Sequence, residues 1–270
     1  AASDVYKRQY VFLSCFLLSG CGMIDYHPYD VRISGETKVN AHNIERIEAN
    51  CQGKTTIRFV TMGDSQRWYD ETEDFVKEIN KRNDIDFVIH GGDMSDFGLT
   101  KEFLWQRDIM NGLNVPYVVL IGNHDCLGTG AETYKAVFGP TNFSFIAGNV
   151  KFVCLNTNAL EYDYSEPVPN FTFMEQEITS RLDEFEKTVI SMHARPYTDV
   201  FNDNVAKVFQ HYIRQYPGIQ VCTAAHTHHY QDDVIFDDGI HYVTSDCMDY
   251  RTYLVFTITP EKYEYELVKY

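Results

Sequence analysis

Tyr117-Val118-Val119-Leu120-Ile121 runs directly into Gly122-Asn123-His124-Asp125, so an apolar run ends on a glycine and three side chains able to bind a metal or move a proton. A short run rich in Val and Ile and closed by a glycine reads as a buried strand followed by a tight turn. The same pairing recurs along the chain. Ile57–Thr61 precedes Gly63-Asp64-Ser65-Gln66, and Phe87–His90 precedes Gly91-Gly92-Asp93-Met94-Ser95-Asp96. Val189–Met192 ends at His193, and Ile219–Thr223 leads to Ala225-His226-Thr227-His228. Five runs thus place polar donors just past their carboxyl ends, which is the edge where α/β sheets bind ligands. Glycine suits such turns because it lets backbone approach a ligand closely.

Between these runs lie amphipathic stretches. Glu71–Lys81, Lys101–Met110, Phe173–Phe185 and Asn204–Tyr216 read as helices, and Asn40 is expected to cap a helix reaching Ala49. Strands alternating with helices give an α/β layered fold. Lys151–Leu155 is a further strand, paired as a hairpin with Asn142–Phe145 through Gly148-Asn149. The final third, with Ile240–Thr244, Tyr253–Thr259 and Tyr263–Val268, lacks helices and predicts hairpins and an antiparallel addition.

The donors are carboxylates, amides and imidazoles, a set suited to manganese, iron or zinc rather than to a thiolate-bound structural zinc. His226 and His228 are two apart, so on an extended segment both project the same way. The chain carries 23 Lys+Arg against 39 Asp+Glu, a net charge of −16, which argues against nucleic-acid binding. It does not argue against a phosphate ester, because bound cations reverse the local field. The seven cysteines form no CxxC pair; Cys154 and Cys222 sit in apolar runs and read as buried free thiols.

At the amino terminus, Lys7 and Arg8 precede an apolar run from Tyr10 to Leu18, then Leu18-Ser19-Gly20-Cys21. A basic start, a short apolar segment and small residues form a signal-peptide pattern. The last four residues resemble the bacterial lipoprotein cleavage box, which implies export and a lipid on Cys21, at the periplasmic face or cell surface. Residues 1–20 are accordingly expected to be a signal peptide, 21–54 a tether and lead-in, and 55–270 the folded domain.

In order, Asp64-x-Gln66, Gly92-Asp93-x-x-Asp96, Gly122-Asn123-His124-Asp125, His193 and Ala225-His226-Thr227-His228 resemble the calcineurin-like metallophosphoesterases from about Arg58 to Tyr230. The resemblance implies a two-sheet β-sandwich flanked by helices, four layers in all, with two divalent metal ions at the strand ends. It implies that Asp93 bridges both ions. Asp64, Gln66 and His228 would complete one site, and Asn123, His193 and His226 the other. His124 would assist the leaving group, with Asp96 orienting it. A hydroxide bridging the ions would attack phosphorus in line. That family most often has His where this chain has Gln66, so the first site is expected to bind its ion less tightly. The usual glycine before the last pair is Ala225 here.

The implied activity is hydrolysis of a small phosphoric mono- or diester. The alternative is a cell-surface binding lipoprotein that keeps the metal site with little or no turnover. A metallo-β-lactamase type of hydrolase is disfavoured, because its His-x-His run belongs early in a chain and here it comes last. His90, His211 and His241 read as structural, and His229 is expected to point away from the pair. Arg195 reads as a surface ion pair or a phosphate contact, and residues 158–170 as a surface excursion or a substrate loop. Asp232, Asp233, Asp237 and Asp238 read as a solvated turn.

Overall fold

The computed structural model describes residues 27, 30–159 and 167–270. The Cys21 attachment point, the apolar run before it and the middle of the 158–170 excursion lie outside these residues. In chain order the first elements are α1 (Val39–Cys51), β1 (Ile57–Met62), α2 (Tyr69–Ile79), β2 (Phe87–His90), α3 (Thr100–Met110) and β3 (Tyr117–Val119). Then follow α4 (Gly130–Val137), β4 (Phe143–Ala147), β5 (Val150–Leu155), α5 (Phe171–Thr179), β6 (Lys187–Met192), α6 (Ala206–Ile213) and β7 (Ile219–Ala224). The chain closes with β8 (Gln231–Asp233), β9 (Tyr242–Thr244), β10 (Thr252–Ile258) and β11 (Tyr263–Lys269).

The strands form two sheets, one ordered β11-β10-β1-β2-β3 and the other β4-β5-β6-β7-β9-β8. Their continuous apolar runs follow from burial on both faces. On the inner faces, Phe59 stacks on Phe87 and Phe256 at centroid distances of 5.5 and 5.1 Å, and meets Phe152 of the other sheet edge-on at 4.9 Å. On the outer face of the first sheet, Val60, Met62, Val88 and Val119 pack with Phe75, Phe103 and Tyr134 of α2, α3 and α4. Val153, Ile190, Met192 and Cys222 do the same for the second sheet against Met174 and Phe209 of α5 and α6. Helix, sheet, sheet, helix is the expected four-layer sandwich. Each fully buried Phe, Leu or Ile contributes about 1.5–3 kcal/mol, so this packing, not local propensity, decides the fold.

Several local expectations change. Lys38, not Asn40, occupies the cap position of α1. Asn40 is 2% exposed, and its amide donates to Val119 O at 2.8 Å and accepts from Val119 N at 2.9 Å. The side chain thereby occupies the backbone groups of edge strand β3. The Phe173–Phe185 helix ends at Thr179, where the chain leaves helical geometry and Arg181 turns left-handed at φ 59°. The Asn204–Tyr216 stretch divides into a 3-10 turn, Asp203–Val205, and α6. The Ile240–Thr244 segment forms the expected antiparallel hairpin with β8, but it does not join the sheet in antiparallel fashion. Its strand β9 runs parallel to β7, and only β8 is antiparallel to it. The other half of the expectation holds, since β10 and β11 form an antiparallel hairpin that joins β1.

Register brings the carboxyl ends together. Met62 is level with His90, and His90 with Val119, so the turns after β1, β2 and β3 leave the sheet side by side. The two sheets touch at this end through Gly63, Gly91 and Ala225. A β-carbon on either glycine would sit 2.9 Å from the Ala225 methyl. The alanine that replaces the customary glycine is thus housed by two glycines across from it.

Candidate metal centre

Three of the five turns past a strand end, those after β1, β2 and β7, place their donors by an unusual backbone. Asp64 (φ 50°), Gln66 (34°), Asp93 (58°), His226 (74°) and His228 (61°) are all left-handed, five of the nine described non-glycine residues with positive φ. Such conformations cost on the order of 1–3 kcal/mol each and persist where surrounding contacts impose them. His226 and His228 lie in bends beyond β7. An extended segment carrying both histidines on one face is therefore incorrect; two left-handed residues aim them.

Two clusters result. In the first, Asp64, Asp93 and His228 each offer a ligand atom, all within 4.8 Å of one another. Asp64 Oδ1 is fully buried, has no hydrogen-bond partner and lies 3.5 Å from His228 Nε2. In the second, Asn123 Oδ1 lies 2.9 Å from both His193 Nε2 and His226 Nδ1. Asp93 joins them, with Oδ2 at 3.5 Å from His193 Nε2. An orphaned buried carboxylate oxygen and converging imidazole nitrogens are the features a cation resolves, since an unpaired buried acceptor otherwise costs about 1–3 kcal/mol. The donors fit divalent ions of the manganese, iron and zinc kind. Gln66 also reaches the centre, but its Nε2 donates to Asp93 Oδ2 at 3.3 Å. An oxygen-ligand role requires that amide to turn over.

Supporting contacts were partly hidden from sequence. Asp125, readable as a simple turn former, is completely buried and gathers the turns. Its carboxylate accepts from Gly122 N, Asp93 N and Ser95 N at 2.8–2.9 Å, from Ser95 Oγ at 2.9 Å, and from Met94 N at 3.3 Å. Burial and the neighbouring Asp93 carboxylate push it up to about 6. His124 donates from Nδ1 to the Asp96 carbonyl oxygen at 2.7 Å. Asp96 thus orients His124 through its backbone, while its carboxylate, 3.9 Å from that nitrogen, accepts from Arg67 at 2.7 Å. His90 is structural, as expected: it contacts Ser65 Oγ at 2.9 Å, and burial lowers its pKa to about 3. Arg195 donates to Gln231 and to Asp233, both at 2.7 Å, and Asp232 holds His241 at 2.6 Å. The acidic cluster is therefore partly tied up in pairs. Cys51, Cys154, Cys222 and Cys247 are free thiols.

Donor clusters of this chemistry on the carboxyl edge of an αββα sandwich define a metallohydrolase. The chain belongs to the calcineurin-like phosphoesterase family, whose model matches residues 57–230. That family performs metal-dependent hydrolysis of small phosphate esters, typically at a dinuclear centre. No curated protein matches this sequence. Among solved structures the chain is similar to a dimetal phosphatase from Danio rerio, with 12% identity, TM-score 0.62, and coverage of 80% of this chain and 98% of that one. It is also similar to purple acid phosphatase PPD1 from yellow lupin, Lupinus luteus (15%, TM-score 0.62, 81% of this chain), of which it spans 52%. GAP50, the anchor in the inner membrane complex of Plasmodium, shares the fold at 11% identity and TM-score 0.61, covering 80% of this chain and 85% of that one.

Without ions, His193 and His228 carry charge at pH 7, whereas burial lowers His226. Burial works against a proton on His193, but the Asp93 carboxylate overrides it and raises the ring to about 9. The Asp64 carboxylate, 3.5 Å from Nε2, and the Cys247 side chain raise His228 to about 10. A ring raised above its ordinary 6.5 stabilises the fold fully below that pH, and the contribution is lost as pH climbs through about 9 or 10. His228, with 35% of its side chain exposed, contributes the smaller share through solvent screening. EDTA-treated protein is therefore expected to lose melting temperature between pH 7 and pH 10. Ion uptake at pH 7 is expected to release protons, because imidazole binds a metal in its neutral form. Calorimetric titration in buffers of different ionisation enthalpy measures that release, and none detected would contradict the assignment.

Proposed function

We propose that this chain hydrolyses a small phosphoric mono- or diester at two divalent cations held by Asp64, Gln66, Asp93, Asn123, His193, His226 and His228, with His124 serving the leaving group. The observation carrying this reading is the pair of donor clusters that share Asp93. Ions bound there supply an acidified water as nucleophile and positive charge against the phosphoryl oxygens. The chain does the rest. Gly122 leaves room for the Asp93 carboxylate, which a β-carbon at that position would overlap. The Asp96 carbonyl keeps a proton on Nδ1 of His124, so the ring gains or gives its second proton only at Nε2. A proton delivered from Nε2 to the departing oxygen matters most for a poor leaving group.

The test uses purified full-length chain. Elemental analysis is expected to find two transition-metal ions per chain, and phosphate monoesters or diesters are expected to be cleaved with Mn²⁺. His124→Gln is expected to lower kcat by about 10²-fold on alkyl esters and by less on aryl esters with good leaving groups. No hydrolysis with any divalent ion would sink the proposal, and equal losses on both ester types would remove His124 from the leaving-group role. The second reading, a binding lipoprotein with little turnover, draws on the Gln66 amide that offers nitrogen to Asp93. Ion binding without hydrolysis would favour it. Residues 1–20 as signal peptide, 21–54 as tether and lead-in, and lipid on Cys21 belong to the same proposal. Palmitate labelling is expected in the intact chain and lost in Cys21→Ala; labelling that survives would refute anchorage there.

A further inference from the structure

The loop after β6 begins with His193 and continues to Asp199, which no motif or spacing marks. Asp199 Oδ1 lies 2.6 Å from His226 Nε2. The other nitrogen of that ring, Nδ1, lies 2.9 Å from Asn123 Oδ1 inside the second cluster. His226 therefore has an inner and an outer nitrogen. His193 is arranged the same way, with Nε2 inward and Nδ1 bonded to the buried Gly91 carbonyl at 2.8 Å. Each imidazole of this cluster has an outer acceptor, a backbone carbonyl for one and a carboxylate for the other.

We propose that Asp199 is the positioning carboxylate of the Asn123–His193–His226 cluster, holding the outer N–H of His226 so that Nδ1 presents its lone pair inward and the ion there binds tightly. The proposal rests on the metallophosphoesterase reading. An ordinary surface ion pair does not account for the arrangement. The Asp199 side chain is 84% exposed, where pairing in water stabilises little, yet it meets a ring that is only 11% exposed. Its loop is also fixed. Thr198 Oγ1 donates to Arg195 O at 2.7 Å, Phe201 N to Thr198 O at 3.1 Å, and Tyr197 N to Asp203 Oδ1 at 2.9 Å. Outer carboxylates on metal-binding histidines fix the tautomer and raise basicity, and removing one commonly weakens metal binding 10–100-fold. With Gln66 in the other cluster, the tighter ion belongs to the cluster that Asp199 supports.

The experiment titrates Mn²⁺ calorimetrically into EDTA-stripped full-length chain, comparing Asp199→Ala and Asp199→Glu with the parent. Asp199→Ala is expected to weaken the tighter ion about tenfold, to leave the weaker ion within about twofold by the same argument, and to be largely rescued by Asp199→Glu. Nitrogen-15 spectra of the Zn²⁺-loaded chain are expected to show the His226 Nε2 proton held against exchange in the parent and exchanging freely in Asp199→Ala. Unchanged affinities and unchanged ring spectra in Asp199→Ala would overturn the proposal while the parent's two ions leave the phosphoesterase reading intact. A parent chain that binds no divalent ion would overturn both.

Discussion

Asp93→Asn is expected to lose high-affinity binding of both ions and to lower ester hydrolysis by about 10³-fold or more, equivalent to at least about 4 kcal/mol of transition-state stabilisation. The substitution keeps the side chain's volume and removes the charge that the two clusters share. Asp93 is 1% exposed. Its Oδ1 accepts from His124 N at 2.9 Å and its Oδ2 faces His193 and Gln66. Loss of that charge also lowers the proton affinity of His193, because Asp93 is what raises it. Asp64→Asn, confined to the first cluster, is the control and is expected to spare one ion. Two ions bound at parental affinity in Asp93→Asn would remove it from the bridging position.

Asp125→Ala is expected to disable the same centre without touching an ion. Its carboxylate accepts from four backbone N–H groups and one hydroxyl, and truncation leaves those donors unpaired in a fully buried place. At about 1–3 kcal/mol for each buried donor left unsatisfied, and without full additivity, a loss of at least about 3 kcal/mol is expected. For a domain of this size that lowers the melting temperature by roughly 6–12 °C. Asp125→Asn separates packing from charge: it fills the space but offers one acceptor oxygen in place of two. Thermal unfolding with ion counts on both variants decides the matter. Parental stability and two ions in Asp125→Ala would show that the turns after β2 and β3 hold their shape unaided.

The sandwich was legible because its strands are buried on both faces. Runs such as Ile57–Thr61 and Phe87–His90 are apolar at most positions, and a glycine follows each within two residues. The site donors were legible for a related reason, since each follows a strand end within a few residues. What local sequence could not show is long-range. Asn40 looks like a helix cap because caps favour Asn, yet its partner is a strand 79 residues away. Asp199 pairs with a ring 27 residues on, and only the meeting of two loops reveals it. The direction of the histidine pair depended on backbone handedness at His226 and His228, which alternation along a strand cannot encode. The Arg181 break that ends the helix at Thr179 likewise had no glycine or proline to announce it.

The two sheets divide the labour by element. Every proposed oxygen donor, from Asp64, Asp93 and Asn123 and from Gln66 once its amide turns over, follows a strand of the first sheet. Every nitrogen donor, from His193, His226 and His228, follows a strand of the second. Neither sheet alone holds a mixed set, so the centre exists only where the halves of the sandwich meet. An ion seated there is a cross-brace, and its binding energy resists their parting. At a free concentration one hundred times its dissociation constant, such a brace adds about 2.7 kcal/mol against unfolding. On the proposed reading, loss of the ions and opening of the sandwich at this end are expected to be coupled.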